Sequence, residues 1–272
     1  MSSIDSADTS AGMETNAAGP TPPLPVGSDR PGVALYLDLM RRCLTNFVYA
    51  SAEPDFDGEK RAVGLEYPAS PIAHTMIGLK RLENIQYCVE DALANNVPGD
   101  LIETGVWRGG AVIYMRAVLK AYDVRDRTVW VADSFEGLPP PRPDDFPQDT
   151  GDVLYTMDWL RISEQQVANN FAAYGLMDEQ VRMLKGWFRD TLPAAPIERL
   201  AVLRLDRDMY ESTMDALTAL YPKVSVGGYV IVDDYGAITA CREAVHDYRA
   251  AHGVTDEIHP VDWTGVYWRR SA

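Results

Sequence analysis

At 272 residues, with 46% hydrophobic and 24% charged side chains, the chain suits one large soluble domain that folds without staples. Its 25 basic and 40 acidic residues give a net charge of −15, which repels a phosphate backbone and excludes nucleic acid as an expected partner. No apolar run approaches the roughly 20 residues of a membrane helix, the N-terminus lacks a signal peptide's basic start, and Cys43, Cys88 and Cys241 show no C-x-x-C spacing, so we expect a cytoplasmic protein with buried, reduced cysteines and no membrane partner.

Residues 1–31 are rich in Ser, Thr, Ala, Gly, Asp and Pro and predict a disordered tail. Leu35, Leu39, Leu44, Phe47 and Val48 suggest a helical stripe starting near Val33, which precedes any strand and so serves as a cap. The polar stretch 52–70 has no period and reads as a loop, and residues 32–78 together form the expected helix and lid segment. A helix over 79–95 follows, with Leu79, Leu82, Ile85, Val89 and Leu93 on its core face. Strands are expected at 100–104, 128–132, 180–184, 200–205, 229–232, 257–261 and 265–268, with helices opening at Gly109-Gly110, Ser163, Met209 and Ala240. The last two strands are too close for a helical crossover and must form an antiparallel hairpin. The expected architecture is an α/β, seven-stranded, mostly parallel sheet with a long proline-rich loop, residues 138–157, over its ligand edge.

Three turns at the carboxyl ends of strands carry candidate ligand chemistry. Gly105 and Gly109-Gly110 follow the first strand, where glycine permits close backbone approach and a helix N-terminus favours negative charge. The spacing is not G-x-G-x-x-G, so a nucleoside without a diphosphate fits better than a dinucleotide, and an ordinary strand-to-helix turn fits equally well. Asp133 ends the second strand, where an acid meets ribose hydroxyls or else bonds its own backbone. Trp187 and Phe188 end the third strand, and one of them is expected to stack on a flat heterocycle while the other fills core.

The sharpest feature is the stretch 200–235, where two apolar strands each end in acids: Asp206 with Asp208, and Asp233 with Asp234. Carboxylates crowded at one sheet edge repel unless a cation or proton intervenes, and an oxygen-only set points to a hard cation, magnesium before calcium. Asp208, two residues into its loop, is either a general base on a hydroxyl or the cap of the following helix. Of the histidines, only His74 stands near the ligand edge.

The segments IETGVWRGG, VADSFEGLP, GWF, LRLDRDMYEST and GGYVIVDDY, with HTMIGLKRLENIQYCVE before them, closely resemble the macrocin O-methyltransferase family over about residues 33–268. This is a family of deoxysugar methyltransferases in macrolide and aminocoumarin antibiotic biosynthesis. The resemblance implies a class I methyltransferase (Rossmann-like) fold over 79–272 with an N-terminal helical cap, S-adenosylmethionine as methyl donor and Mg2+ dependence. It also implies metal carboxylates at Asp206, Asp233 and Asp234 and a catalytic base at Asp208. Met76, Glu103, Thr104 and Gly105 would line the methionine part of the donor, Asp133 and Ser134 its ribose, and Tyr49 the sugar acceptor. Arg207 stands where glycine is expected in such proteins, and it would pair with an acid, touch an acidic substrate or face solvent. The implied partner is a small glycosylated acceptor, with homo-oligomerisation through the N-terminal helix as a further expectation.

Three other readings compete. A metal-dependent glycosyltransferase uses D-x-D against a nucleotide-sugar diphosphate, but no phosphate-type glycine loop accompanies the acids here. A phosphohydrolase with Asp206 as nucleophile expects Thr or Val where Tyr210 stands. A catalytically inactive adenosyl-binding homologue predicts donor affinity without transfer.

Overall fold

The computed structural model describes residues 31–50, 53, 55–65 and 70–272, so the expected tail, apart from Pro31, lies outside the described residues, as does part of the stretch 52–70. Seven strands, β1 (Asp100–Thr104), β2 (Val129–Asp133), β3 (Val181–Lys185), β4 (Leu200–Leu205), β5 (Val224–Val232), β6 (His259–Pro260) and β7 (Val266–Arg269), form one sheet in the order β3-β2-β1-β4-β5-β7-β6. β1 to β5 pair in parallel, and β7 runs antiparallel to both β5 and β6. The expected hairpin is present, but β6 shrinks to two residues, one of them Pro260, which has no N–H to extend a ladder. The strand order reverses between β1 and β4, and a crevice opens at such a switch point.

Side-chain alternation divides the core into two layers. Leu101, Val131, Val202 and Ile231 face one layer with α3 (Leu79–Ala94) and α4 (Gly110–Ala121). Ile102, Ala132, Leu203, Leu205, Val230 and Val232 face the other with α7 (Tyr210–Leu220) and α8 (Thr239–Ala251). Every residue of β4 is buried, as a central parallel strand covered on both faces requires.

The N-terminal helix, α1 (Pro31–Leu44), differs from the expected stripe. It buries Leu37, Met40 and Leu44, whereas Leu35 and Leu39 are 73% and 54% exposed. The expected stripe mixed two faces, because Leu35 and Leu39 lie a turn apart on the side away from Leu37 and Met40. A short helix, α2 (Gly58–Ala62), stands where only loop was expected, started by Asp57 accepting from the Glu59 and Lys60 amides. α5 (Glu164–Ala173) begins with Ser163 capping the Gln166 amide, while the Gln166 side chain turns forward to Asn170 rather than back to the Ser163 amide. Cys88 and Cys241 are buried, while Cys43 is partly exposed, contrary to the expectation for all three.

Among the described residues, no helix is long and apolar enough to cross a membrane.

Candidate active site

Sheet register builds the site. Glu103 on β1 lies beside Arg204 on β4, and both side chains project to the α3 side of the sheet at its carboxyl edge. Arg204, wholly buried, donates from Nη1 to Glu103 and to Asp206 Oδ2 (2.9 Å), and from Nη2 to Asp233 Oδ1. From α3, Arg81 donates from Nη1 to Asp233 Oδ2 and from Nε to Asp262 Oδ2 (3.0 Å). Asp233 is therefore clamped between two guanidinium groups, one from the sheet and one from the helix above it. Charges this deep persist only when paired, and Arg204 is the shared partner.

The arginines do not balance the acids. Glu103, Asp206, Asp208, Asp233, Asp234 and Asp262 converge on Arg81, Arg204 and Arg207, leaving negative charge in excess. Burial pushes Asp208 up to about 7, reinforced by Asp206. Burial also raises Asp206, with Asp233 adding to it, and raises Asp234 well above the carboxylate range, with Asp208 adding to it. Glu103 is pushed up to about 8 by burial, against the opposing pull of Arg204.

Carboxylate oxygens of Asp206, Asp233 and Asp234 lie within 4.8 Å of one another. Buried Asp234 Oδ2 has no hydrogen-bond partner among the described residues, and the Asp206 side chain is 30% exposed toward the cleft. An all-oxygen set with a charge excess and an orphaned oxygen fits a hard divalent cation. Asp233 fits through lone pairs that its two arginines leave free.

A cleft with about 830 Å³ of empty space, partly open to solvent, lies at the switch point. Gly105, Trp107, Asp133, Ser134, Trp187, Phe188, Asp206, Arg207 and Asp208 contribute to its walls, together with Met76 and the loop residues Leu138, Pro139 and Leu160. Gly105 has φ of +81°, a conformation that glycine adopts without strain. Trp107 (φ 47°) and Phe135 (φ 57°) adopt left-handed backbone despite bulky side chains, so strain is concentrated in the two turns facing the cleft. The Trp107 indole compensates by donating to the Trp159 carbonyl (3.0 Å), which ties the first turn to the covering loop.

That loop is docked rather than free. Asp149, 2% exposed, accepts from the Tyr210 and Glu211 amides (2.6 and 3.0 Å) and caps α7 from outside its own chain neighbourhood. Arg142 holds Glu211 through a second link (2.6 and 3.2 Å). Because Asp149 performs the capping, Asp208 is left free to face the cleft.

The predicted residues divide into three groups. Met76, Gly105, Asp133, Ser134, Trp187, Phe188, Asp206, Arg207 and Asp208 meet at the cleft, with Asp233 and Asp234 adjoining Asp206. Glu103 and Thr104 do not line it. Glu103 is turned behind the wall into the Arg204 pair, and Thr104, on the opposite sheet face, donates to the Arg204 carbonyl (3.3 Å). Tyr49, 67% exposed, also lies outside the cleft lining. His74 accepts the Gly110 amide through its carbonyl (2.9 Å), beside the first turn, but its ring pairs through Nδ1 with the Tyr174 hydroxyl (2.8 Å) and does not line the cleft. Both Asp133 oxygens accept backbone amides, Val106 and Phe135, each at 2.8 Å, so the acid ties its own turn to the turn after β1 while still facing the cleft.

Sequence reasoning missed Arg204, Arg81, Asp262 and Asp149. Arg204 carried a usable signal: a cation inside the apolar run LAVLRL has nowhere to go but a buried carboxylate. Arg81 shares the buried face of α3 with Leu82, Ile85 and Cys88, a weaker mark of the same kind. Asp149 carried none, since its partners are 61 and 62 residues away.

Sheet order, switch-point cleft and acid-rimmed edge together define a class I methyltransferase. The chain belongs to the macrocin O-methyltransferase (TylF) family, which matches residues 34–270, and this makes it an O-methyltransferase. It is 57% identical over 252 residues to mycinamicin III 3''-O-methyltransferase of Micromonospora griseorubida, covering 89% of this chain and 98% of that protein. It is 55% identical over 248 residues to demethyldecarbamoylnovobiocin O-methyltransferase of Streptomyces niveus, covering 88% and 94% respectively. The solved O-methyltransferase NovP superposes with a TM-score of 0.85 at 56% identity, over 88% of this chain and all of that one (100%). The calicheamicin methyltransferase CalS11 shares the fold alone, with a TM-score of 0.60 at 18% identity over 98% of this chain and 99% of that one.

Proposed function

We propose that the protein is an S-adenosylmethionine- and magnesium-dependent O-methyltransferase acting on a deoxysugar hydroxyl of a glycosylated antibiotic or related natural product. The observation that carries this reading is the juxtaposition of Asp208 and Asp206 on one cleft wall with the Gly105 turn, beside the three-carboxylate cluster. Relatives at 55–57% identity are named for methylation of sugar-bearing antibiotics, which supports the acceptor class.

The donor, when bound, supplies an activated methyl that moves from sulfur to the acceptor oxygen, leaving S-adenosylhomocysteine. Mg2+, when held by Asp206, Asp233 and Asp234, supplies Lewis acidity that lowers the pKa of the acceptor hydroxyl. Asp208 receives the hydroxyl proton, a task open to it because it lines the cleft beside Asp206 while Asp149 caps α7 in its place. Arg204 and Arg81 fix Asp233 and, through Arg204, Asp206, so the cluster does not have to reorganise during turnover. Gly105 and Met76 border the donor's methionine part, Asp133 and Ser134 its ribose, and Trp187 or Phe188 its adenine. The docked loop excludes water and limits the acceptor's approach, and such positioning is worth roughly 7–11 kcal/mol in favourable cases. Tyr49, on the exposed surface, is assigned to an acceptor large enough to extend beyond the cleft.

Isothermal titration with Mg2+ tests the division of roles. Asp206→Ala is expected to lose metal binding, whereas Asp208→Ala keeps it and loses transfer of labelled methyl. Equal loss of metal in both variants contradicts the assignment.

A further inference from the structure

The Arg207 side chain is 9% exposed, yet its Nε and Nη2 have no hydrogen-bond partner among the described residues. Its guanidinium lies 3.1 Å from the centre of the Phe188 ring, a cation–π contact. It also lies close to the Gly105 turn, where an added Cβ would come within 3.2 Å of Arg207 Cζ. A flat, cationic plate thus covers the aromatic face and the glycine turn, two of the surfaces that the cleft offers to an adenosyl group.

We infer that Arg207 is a gate on the donor site, its guanidinium covering Phe188 and Gly105 until the adenosyl donor displaces it. Only the side chain has to move. The backbone here is held by the Asp206 amide donating to the Thr104 carbonyl (3.0 Å) and by Thr213 Oγ1 donating to the Arg207 carbonyl (3.2 Å). Asp215 on the same cleft wall can receive the displaced guanidinium, whose two orphaned nitrogens gain partners by leaving, and Asp208 stays free for the acceptor. The gate also discriminates by charge: a guanidinium at rest in the cleft opposes the cationic sulfonium of S-adenosylmethionine more than the neutral thioether of S-adenosylhomocysteine.

This inference rests on the adenosyl-donor reading, and the test separates the two. Isothermal titration of the full chain with S-adenosylmethionine and S-adenosylhomocysteine is run on the wild type, Arg207→Gly and Arg207→Met, each first checked for a cooperative melt. A gate closed in about nine molecules of ten weakens apparent affinity about tenfold. Arg207→Gly is therefore expected to bind both ligands about tenfold tighter. Arg207→Met, which keeps bulk and removes charge, is expected to tighten S-adenosylmethionine more than S-adenosylhomocysteine. Unchanged or weaker binding of both ligands by folded variants overturns the gate and leaves the donor reading standing, and Arg207→Met decides in the same way where Arg207→Gly does not fold. Failure of every form, wild type included, to bind either ligand overturns both.

Discussion

Replacing Arg204 with Met tests whether the site is organised by a buried cation. The side chain is fully buried and is the shared partner of Glu103, Asp206 and Asp233, so removal strands three carboxylates at once. Breaking one buried pair by deleting a partner costs about 3–5 kcal/mol. Asp233 keeps Arg81, which holds the loss toward that range rather than a multiple of it. For a chain of this size each kcal/mol lowers Tm by roughly 2–4 °C, so a fall of roughly 6–20 °C is expected. The loss also depends on pH. Without Arg204 the stranded acids hold protons more tightly when folded than when unfolded, so the folded form binds more protons and the variant loses stability as pH rises from about 4 to 8. Adding Glu103→Gln to Arg204→Met is expected to recover part of the deficit, because it removes the carboxylate paired directly with Arg204. Thermal unfolding followed by circular dichroism at about pH 5 and 8 measures all three quantities. A loss under about 1 kcal/mol, or a deficit independent of pH, refutes the shared-partner account.

Other consequences are equally direct. Asp149→Ala removes the cap of α7 supplied by the covering loop and is expected to cost about 1–2 kcal/mol; it should also speed proteolysis within residues 138–160, and an unchanged digestion rate contradicts the docked-loop reading. Burial, with Glu211 adding to it, pushes half-buried Asp215 up to about 6. The folded form keeps that proton to higher pH than the unfolded form, so stability falls as pH rises through roughly 4 to 6. Asp215→Asn should accordingly raise Tm near pH 8 and leave it unchanged near pH 4, as differential scanning across pH will show. Gly105→Ala forces a Cβ into left-handed backbone, a cost of about 1–2 kcal/mol by itself, and drives it against the Asp206 carbonyl oxygen, so the loss of stability should exceed that figure and binding of S-adenosylhomocysteine should be abolished in titration.

Much of the scaffold was legible because its signals are local. The run LAVLRLD ending in acids, the glycine turn after DLIET and the Pro-Gly stops mark the sheet edge without reference to anything distant. The short α2 escaped notice because its cap, Asp57, sits in a polar segment without an apolar period, and α1 was misread because leucines occur on both of its faces. The acids at the site were legible, but what holds them was not. Asp206, Asp233 and Asp234 announce themselves at strand ends, whereas the pairing of Asp206 and Asp233 with Arg204, and of Asp233 with Arg81, depends on sheet register and on how α3 lies over β4 and β5. Glu103 shows the consequence: read along the chain it borders a ligand turn, while in three dimensions it supports the wall from behind.

The most direct test of the central claim is to locate the methyl on the product. The protein is incubated with S-adenosylmethionine, Mg2+ and a panel of demethylated macrolide and aminocoumarin glycosides, and the products are mapped by two-dimensional NMR. We predict one new methoxy group on a deoxysugar carbon, formed only with Mg2+ present. A methyl on the aglycone or on nitrogen, or transfer unaffected by chelation of the metal, contradicts the account.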